Sequence, residues 1–371
     1  MRILAVNAGS SSLKLRLLDG DDALLAQHDL PALRGRTDEA AVAAALSDLP
    51  APDAIGHRIV HGGVLYHTAV RLDARVLQDL SALSDLAPLH QPPALEAQAL
   101  VERALPGLPA VACFDTGFHA TLPPAAFTYA LPRSWREQWP LRRFGFHGLS
   151  HAYAARRAAE LLGRPLEELQ IVTCHLGAGA SLCAVQAGRS IDTTMGFTPL
   201  EGLVIATRAG SVDPGLLLWL LEHEHLDTGA LAYALEYESG LTGLAGSADM
   251  REVVAQAEDG DGDATLALDV YVHRLRAGIA AMAVALDSLD ALVFTGGVGE
   301  HAPAVRARTA AGLGLLGITV DSERNASSNT DADIGAPDAR VHTIVLTARE
   351  DLEVARQVRR LLGGPPEPSG A

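Results

Sequence analysis

The chain is 371 residues long, 48% apolar and 20% charged, with 45 acidic against 29 basic side chains and a formal net charge of −16. Twenty-eight of the basic residues are arginine and one is Lys14. That excludes a P-loop NTPase, whose lysine directly follows glycine, because Lys14 follows Leu13; a Schiff-base enzyme would have Lys14 alone to use. The acidic balance argues against nucleic acid or an acidic membrane surface as partner, since both would repel it.

At about 150 residues per domain, the length predicts two or three domains. No apolar run reaches the ~18 residues of a membrane span. Met1 to Leu4 runs straight into Asn7 and a polar turn, unlike a secretory leader. Three cysteines without a CxxC pair (Cys113, Cys174, Cys183) fit a reducing compartment. A cytoplasmic α/β protein is the expectation.

In chain order, Ile3 to Val6 reads as a strand ending at the small-residue turn Asn7 to Ser12. Leu13, Leu15 and Leu17 then alternate with Lys14 and Arg16, which predicts a second strand and hence a hairpin. Further strand-like runs are 110–114, 170–174, 182–186, 291–295 and 341–346. Helical patterns cover 38–49, 94–104, 151–162, 214–222, 264–286 and 349–362. Strands interleaved with helices indicate an α/β class. Ile3-Leu4-Ala5-Val6-Asn7-Ala8-Gly9 is echoed 168 residues later by Ile171-Val172-Thr173-Cys174-His175-Leu176-Gly177. Both copies lead into small residues and another apolar strand, which suggests two domains of related fold. Asp259, Asp261 and Asp263 resemble the start of an EF-hand, but Ala264 and Val270 stand where Gly and Glu are needed, so no calcium loop is expected. The tail from Gly363 to Ala371 reads as frayed.

Four glycine-rich turns are placed after strand-like runs: Asn7 to Ser12, His175 to Ala180, Thr207 to Gly210 and Thr295 to Glu300. Their backbone N–H groups could converge on phosphate oxygens. Gly297-x-Gly299 lacks the third glycine of a dinucleotide fingerprint, so a nicotinamide oxidoreductase fits poorly. Arg58, Arg143 and Arg208 sit beside glycine turns, where a planar guanidinium can fork onto carboxylate or phosphate oxygens. His57 and His61 would share a metal only on a helix, and their glycine-flanked, β-branched setting argues against one. Asp115 follows an apolar run, where a sheet's carboxyl end opens. Glu350 follows the last strand, as a magnesium ligand or as an acid complementing a helix N-terminus.

The strings NAGSSSLK at 7–14, GHRIVHGG at 56–63, LAPLHQP at 86–92, FDTGFH at 114–119 and RFGFHGLSH at 143–151 occur in order. They continue with TCHLGAGAS at 173–181, DTTMGFTPLEGL at 192–203, ESGLTGLAG at 238–246 and FTGGVGE at 294–300. Together they resemble the acetate kinase family of the actin-like ATPase and sugar kinase superfamily. The resemblance implies a duplicated actin-like (ribonuclease H-like) fold, with two domains around a nucleotide-binding cleft. The expected first domain is 1–119 completed by 352–371, and the second is 120–351 with the adenosine site. The implied reaction is reversible, direct in-line phosphoryl transfer between ATP and acetate, giving acyl phosphate and ADP, with Mg²⁺ or Mn²⁺ and a homodimeric enzyme. A carboxylic acid is already ionised at pH 7, so the chemistry needs alignment and charge neutralisation rather than a base.

Carried over by position, the resemblance gives Arg58, Asp115, His147 and Arg208 catalytic roles, with His147 and Arg208 stabilising the transition state and Arg58 also holding the carboxylate. Val60, Leu89, Phe146 and Pro199 would form the acyl pocket. Asn7, Lys14, His175, Gly177, Gly179, Asp249, Met250, Arg251, Gly297, Val298 and Gly299 would border the nucleotide, and His90 would lie near the phosphates. Asn7 and Glu350 would bind the metal. Lys14 reads equally as a solvated strand residue. The sequence departs from the family at Ala178, where Asn is usual, and at Gln91, where LHNP becomes LHQP. The family's PTNEE string reads Thr347-Ala348-Arg349-Glu350-Asp351, a register that leaves Asp351 as the alternative to Glu350. Propionate in place of acetate and a non-catalytic nucleotide-binding module are the remaining alternatives.

Overall fold

The computed structural model describes residues 1–9, 12–33, 36–87, 90–328 and 331–363. The chain divides into two compact units. One comprises 1–120, 146–153 and 349–371, the other 121–145 and 154–348.

The first unit is built on a sheet of seven strands: β1 (Ile3–Ala8), β2 (Ser12–Leu18), β3 (Leu24–Leu33), β4 (Arg36–Thr37), β5 (Ala54–Ile59), β6 (Val70–Arg71) and β7 (Ala110–Phe114), in the order β4-β3-β2-β1-β5-β7-β6. β1 and β2 form the expected antiparallel hairpin, with Asn7 opposite Lys14, while β5 lies parallel to both β1 and β7. Period-two alternation sends Leu4, Val6, Leu13, Leu15 and Leu17 to one face, where they share a buried core with residues of the helices Glu39–Ser47 and Gln91–Ala104. Ile3, Ala5, Val111 and Cys113 face the other way, onto Val354, Ala355 and Val358 of the helix Glu350–Gly363. Gly56 allows that approach: a Cβ there would lie 2.4 Å from Val354 Cγ1.

The second unit carries β8 (Gln170–Leu176), β9 (Ala180–Gln186), β10 (Arg189–Thr193), β11 (Ala291–Thr295), β12 (Ala332–Asp333) and β13 (His342–Val345), in the order β10-β9-β8-β11-β13-β12. Apart from the added edge strand β4, the pairing repeats the first sheet. β10-β9-β8 and β3-β2-β1 are antiparallel meanders, β11-β13 and β5-β7 continue in parallel, and β12 and β6 close the edge antiparallel. This is the duplicated actin-like architecture, and the echo at 168 residues lies on equivalent strands β1 and β8. The 23-residue helix Gly262–Val284 packs under this sheet. Its N-cap is Asp261, whose carboxylate accepts from Ala264 N–H at 2.8 Å, so the acidic loop starts a helix. Among the described residues no helix is long and apolar enough to cross a membrane.

Several element limits differ from the sequence reading. Asn7 and His175 lie within strands, each one residue before the end, rather than opening turns. Thr207 to Gly210 follows no strand, because the chain leaves β10 at Thr193 and remains irregular until the helix Pro214–His223. Gly297 to Gly299 lie inside a short helix, Gly296–His301. β3 and β5 were not anticipated as strands.

Candidate active site

In the first unit, three neighbouring strands end in polar residues on one face. Alternation that points Ala5, Gly56 and Cys113 toward the C-terminal helix also points Asn7, Arg58 and Asp115 that way, two residues further along. They meet at the carboxyl ends of the strands, beside Glu350 at the start of the helix. Arg58 Nε donates to both Asp115 oxygens at 3.1 Å, Nη2 donates to Asp115 Oδ2 at 2.6 Å, and Nη1 donates to Asn7 Oδ1 at 2.9 Å. Asn7 Nδ2 in turn donates to Glu350 Oε2 at 2.9 Å, and that carboxylate lies 3.7 Å from Arg58 Nη1. Asp351 pairs instead with Arg349 at 2.9 Å. Of the two acids, Glu350 is the one that lies beside Asn7 and Arg58.

Asp115 is buried. Desolvation pushes its carboxyl above the ordinary range, against the opposing pull of Arg58. Burial also works to lower the pKa of Arg58, but the carboxylates of Asp115 and Glu350 overcome it and hold the guanidinium above its usual value. His147 follows at once: Gly148 N–H donates to Asp115 O at 2.8 Å, and a Cβ on Gly148 would lie 2.2 Å from that oxygen. His147 itself has φ +56°, a left-handed conformation uncommon outside glycine and concentrated at functional sites. Val60 and Phe146 are buried, and the Phe146 ring stands edge-on to His61 with centroids 5.6 Å apart. Gln91, fully buried, braces the same turn: its Oε1 accepts from His61 N–H at 3.2 Å and its Nε2 donates to His61 O at 3.1 Å. His90 sits at the N-cap of the helix Gln91–Ala104. Leu89 lies outside the described residues. Lys14 is exposed on β2, opposite both Asn7 and Asp29 in register.

The second unit gathers its own set. His175, next to last in β8, lies opposite Thr295 of β11, so the two glycine turns lie side by side. Gly296, at φ +78°, has room only for hydrogen, since a Cβ would meet Leu176 O at 2.7 Å. Gly177 N–H bonds Gly179 O at 2.9 Å across the first turn, and Ala206 N–H donates to Ala178 O at 3.3 Å, bringing the Arg208 segment beside it. Arg208 Nε donates to Glu236 Oε2 at 2.6 Å. Pro199 rides on the turn 196–202, which is held by a network the sequence reading did not find. Arg143 Nη2 donates to Glu201 Oε1 at 2.6 Å, Tyr129 Oη donates to Glu201 Oε2, and Tyr129 Oη accepts from Phe197 N–H at 2.9 Å.

Asp249, Met250 and Arg251 are occupied structurally. Asp249 caps the helix Met250–Glu258 and pairs with Arg251, whose guanidinium holds its carboxyl down at about 2, and Met250 is buried in the core. Gly297 and Val298 form the first turn of Gly296–His301, and Gly299 is buried against β11. The far end of that helix is clasped by buried Arg306, which donates to Gly299 O at 2.8 Å and Glu300 O at 2.7 Å.

The model of the acetokinase family matches residues 26–356. An acetate kinase of Trichormus variabilis is 42% identical over 98% of this chain and 100% of its own length. One from Synechococcus sp. (strain JA-2-3B'a(2-13)) is 50% identical over 84% of this chain and 77% of its own. Among solved structures, Porphyromonas gingivalis acetate kinase superposes with a TM-score of 0.88 at 34% identity, covering 97% of this chain and 99% of that one. A propionate kinase from Francisella tularensis gives 0.86 at 33% identity, covering 96% and 98%. Fold and relatives together define a phosphotransferase with a duplicated actin-like architecture that uses ATP. The chain belongs to the acetokinase family.

Proposed function

We propose that the protein transfers the γ-phosphoryl group of ATP to acetate, reversibly and in line, yielding acetyl phosphate and ADP. The observation that carries this reading is the Asn7–Arg58–Asp115–Glu350 cluster at the ends of β1, β5 and β7, in a chain whose full-length relatives are acetate kinases. A carboxylate oxygen of acetate attacks phosphorus as the bond from phosphorus to the ADP oxygen breaks, so no proton has to move. Arg58, oriented by Asp115, holds the carboxylate, and Arg208 and His147 donate to the oxygens of the transferring phosphoryl. Val60, Phe146 and Pro199 are the residues we assign to the methyl group. We assign the glycine turns bearing His175, Gly177 and Gly179 and Gly297 to Gly299 to the nucleotide, with His90 near its phosphates; Asp249 to Arg251, whose side chains are engaged in the cap and the core, would border the adenosine through their backbone.

The donors at the first cluster fit a hard divalent cation. Asn7, Asp115 and Glu350 offer amide and carboxylate oxygens, with no thiolate among them. Among the described residues no group of three His, Cys, Asp or Glu could hold a metal by itself, so Mg²⁺ or Mn²⁺ at Asn7 and Glu350 would complete its shell with phosphate oxygens and water. When bound, the ion neutralises phosphate charge. We also assign the protein to the cytoplasm, where its three buried free thiols suit a reducing medium. We assign it a homodimeric state as well, in which exposed apolar residues such as Leu216, Leu218, Trp219, Tyr233 and Tyr237 would be available to a partner.

The test is trapping of acyl phosphate by hydroxylamine with ATP, Mg²⁺ and acetate, propionate or butyrate. Acetate is expected to give the highest kcat/KM. Absence of hydroxamate with all three acids overturns the reading, and a preference for propionate moves it to the nearest alternative, because one methylene is worth only about 1–3 kcal/mol.

A further inference from the structure

Arg208 stands on a segment without regular secondary structure, yet its backbone is fastened on one side. Thr207 Oγ1 donates to Glu236 O at 2.7 Å, Ser239 N–H donates to Thr207 O at 3.0 Å, Leu241 N–H to Ile205 O at 3.0 Å, and Thr242 N–H to Ala206 O at 2.9 Å. All four bonds go to residues 236–242, which begin in a single π-helical turn, Ala234–Glu238. Wide turns of this kind are rare and concentrate at functional sites. The turn is closed by Ser239 Oγ donating to Ala234 O at 2.8 Å. Gly240, at φ +64°, lets the two segments touch, since a Cβ would sit 2.2 Å from Ile205 O. The register of 205–208 is thus set by 236–242.

The same turn delivers Glu236 to the side chain. Its carboxylate takes the Nε edge of Arg208 at 2.6 Å, with both side chains largely buried. Among the described residues the guanidinium makes no other hydrogen bond, so Nη1 and Nη2 keep their N–H groups for another acceptor. A guanidinium held at Nε and open at its Nη pair is a fork aimed in one direction, the geometry that receives two oxygens of a carboxylate or phosphoryl group. A carboxylate competing with substrate would instead occupy that terminal pair.

We propose that Glu236 is the positioning residue of Arg208: the π-turn fixes the carboxylate, and the carboxylate fixes the angle at which Arg208 meets the transferring phosphoryl. The inference rests on the phosphoryl-transfer reading given above. Glu236 touches no reacting atom; its effect is on orientation, where a displacement of about 1 Å can cost on the order of a hundredfold in rate.

The experiment compares Glu236→Gln, Glu236→Ala and Arg208→Ala in the hydroxamate assay, with melting temperature and near-ultraviolet circular dichroism as fold controls. Glu236→Gln keeps an acceptor for Nε and is expected to retain about a tenth of kcat, whereas Glu236→Ala falls roughly a hundredfold. KM for ATP stays within about twofold in both variants, because the lost interaction is made chiefly in the transition state. If Glu236→Ala does not fold, Glu236→Gln, which is nearly isosteric, carries the measurement. Turnover of either Glu236 variant within twofold of the parent, with Arg208→Ala severely impaired, overturns the positioning role and leaves the function standing. A loss of kcat matched by a lowered melting temperature and by equal rises in both KM values also overturns it, as a merely structural effect. Near-normal turnover of Arg208→Ala removes Arg208 from the mechanism and the positioning role with it.

Discussion

Replacing Asp115 by Asn keeps the size of the side chain and removes its charge where the structure uses that charge most. Three N–H···O contacts from Arg58, at 3.1, 3.1 and 2.6 Å, converge on the carboxylate, which is 1% exposed. An amide can accept at one oxygen only and turns an NH₂ toward a guanidinium that has no acceptor. Arg58 would keep Asn7 Oδ1 at 2.9 Å and Glu350 at 3.7 Å, so its charge is not wholly abandoned. Breaking a buried pair from one side costs about 3–5 kcal/mol, and the residual partners place this case at the lower end, about 3 kcal/mol. The fall in melting temperature should then be at least about 6 °C. Glu350→Gln, which removes the more distant and more accessible carboxylate, should cost no more than about 1 kcal/mol. The double variant Arg58→Met/Asp115→Asn should recover stability relative to Asp115→Asn, since the guanidinium that lost its buried carboxylate is then gone and Glu350 keeps its bond from Asn7. Thermal melts followed by circular dichroism compare the four proteins, and the hydroxamate assay should show kcat reduced more than about a hundredfold in Asp115→Asn. If Asp115→Asn melts with Glu350→Gln, or the double variant melts below the single one, Asp115 is not the charge that holds Arg58.

His57 and His61 are buried, and burial pushes both down to about 4. The unfolded chain therefore binds protons between about pH 6.5 and 4 that the native state refuses, and stability falls as pH drops through that window. Each histidine should contribute a loss of about 2 kcal/mol between pH 7 and 5; a urea midpoint unchanged over that range would contradict it. Gly196→Ala would place a Cβ 1.7 Å from Glu201 Oε2 and 2.1 Å from Tyr129 Oη, breaking the network that shapes the turn bearing Pro199. A stability loss of about 1–3 kcal/mol with a raised KM for acetate is expected, and parental values for both would refute it. ATP binding measured by calorimetry should weaken at least about tenfold when EDTA replaces Mg²⁺, and equal affinity under the two conditions would mean that no cation offsets the phosphate charge.

Much of the first unit was legible because its signals are local. Leu13, Leu15 and Leu17 alternate with polar residues over a stretch long enough to set a period, and the bounding turn is rich in small residues. β5 escaped notice for a physical reason: Ala54-Ile55-Gly56-His57-Arg58-Ile59 carries a glycine for the approaching helix and an arginine for the site, so function has overwritten the strand pattern. β3, Leu24–Leu33, has His28, Asp29 and Pro31 interrupting its apolar residues. Arg58 and Asp115 were visible as charged residues at the edges of apolar runs. Their partnership was not, since they are 57 residues apart and meet only through the register of β5 and β7. Glu236 looks like any acid on an amphipathic helix until Arg208, 28 residues earlier, is brought beside it. Tyr129 and Glu201, 72 apart, and Arg306, whose acceptors are all uncharged, give no sequence signal at all.

The geometry also changes what the composition implied about charge. An acidic chain that handles anions is expected to hold a local excess of arginine, and two arginines, Arg58 near the end of β5 and Arg208 near Gly210, stand where such an excess would be needed. Each, however, is matched. In the first unit Arg58 contributes +1 and Asp115 and Glu350 contribute −1 each, so these groups sum to −1; in the second, Arg208 and Glu236 sum to zero. Neither cluster offers net positive charge to a polyphosphate, and a carboxylate substrate adds another negative charge. The arginines are thus suited to direction rather than neutralisation: their partners fix the planes in which the guanidinium N–H groups point. On the proposed function the compensating charge would come with a divalent cation, which Asn7 and Glu350 would help to hold. On that division of labour, changing a carboxylate partner of an arginine damages rate through orientation, while withholding the cation damages affinity. The two kinds of perturbation should therefore separate cleanly into kcat and ATP binding.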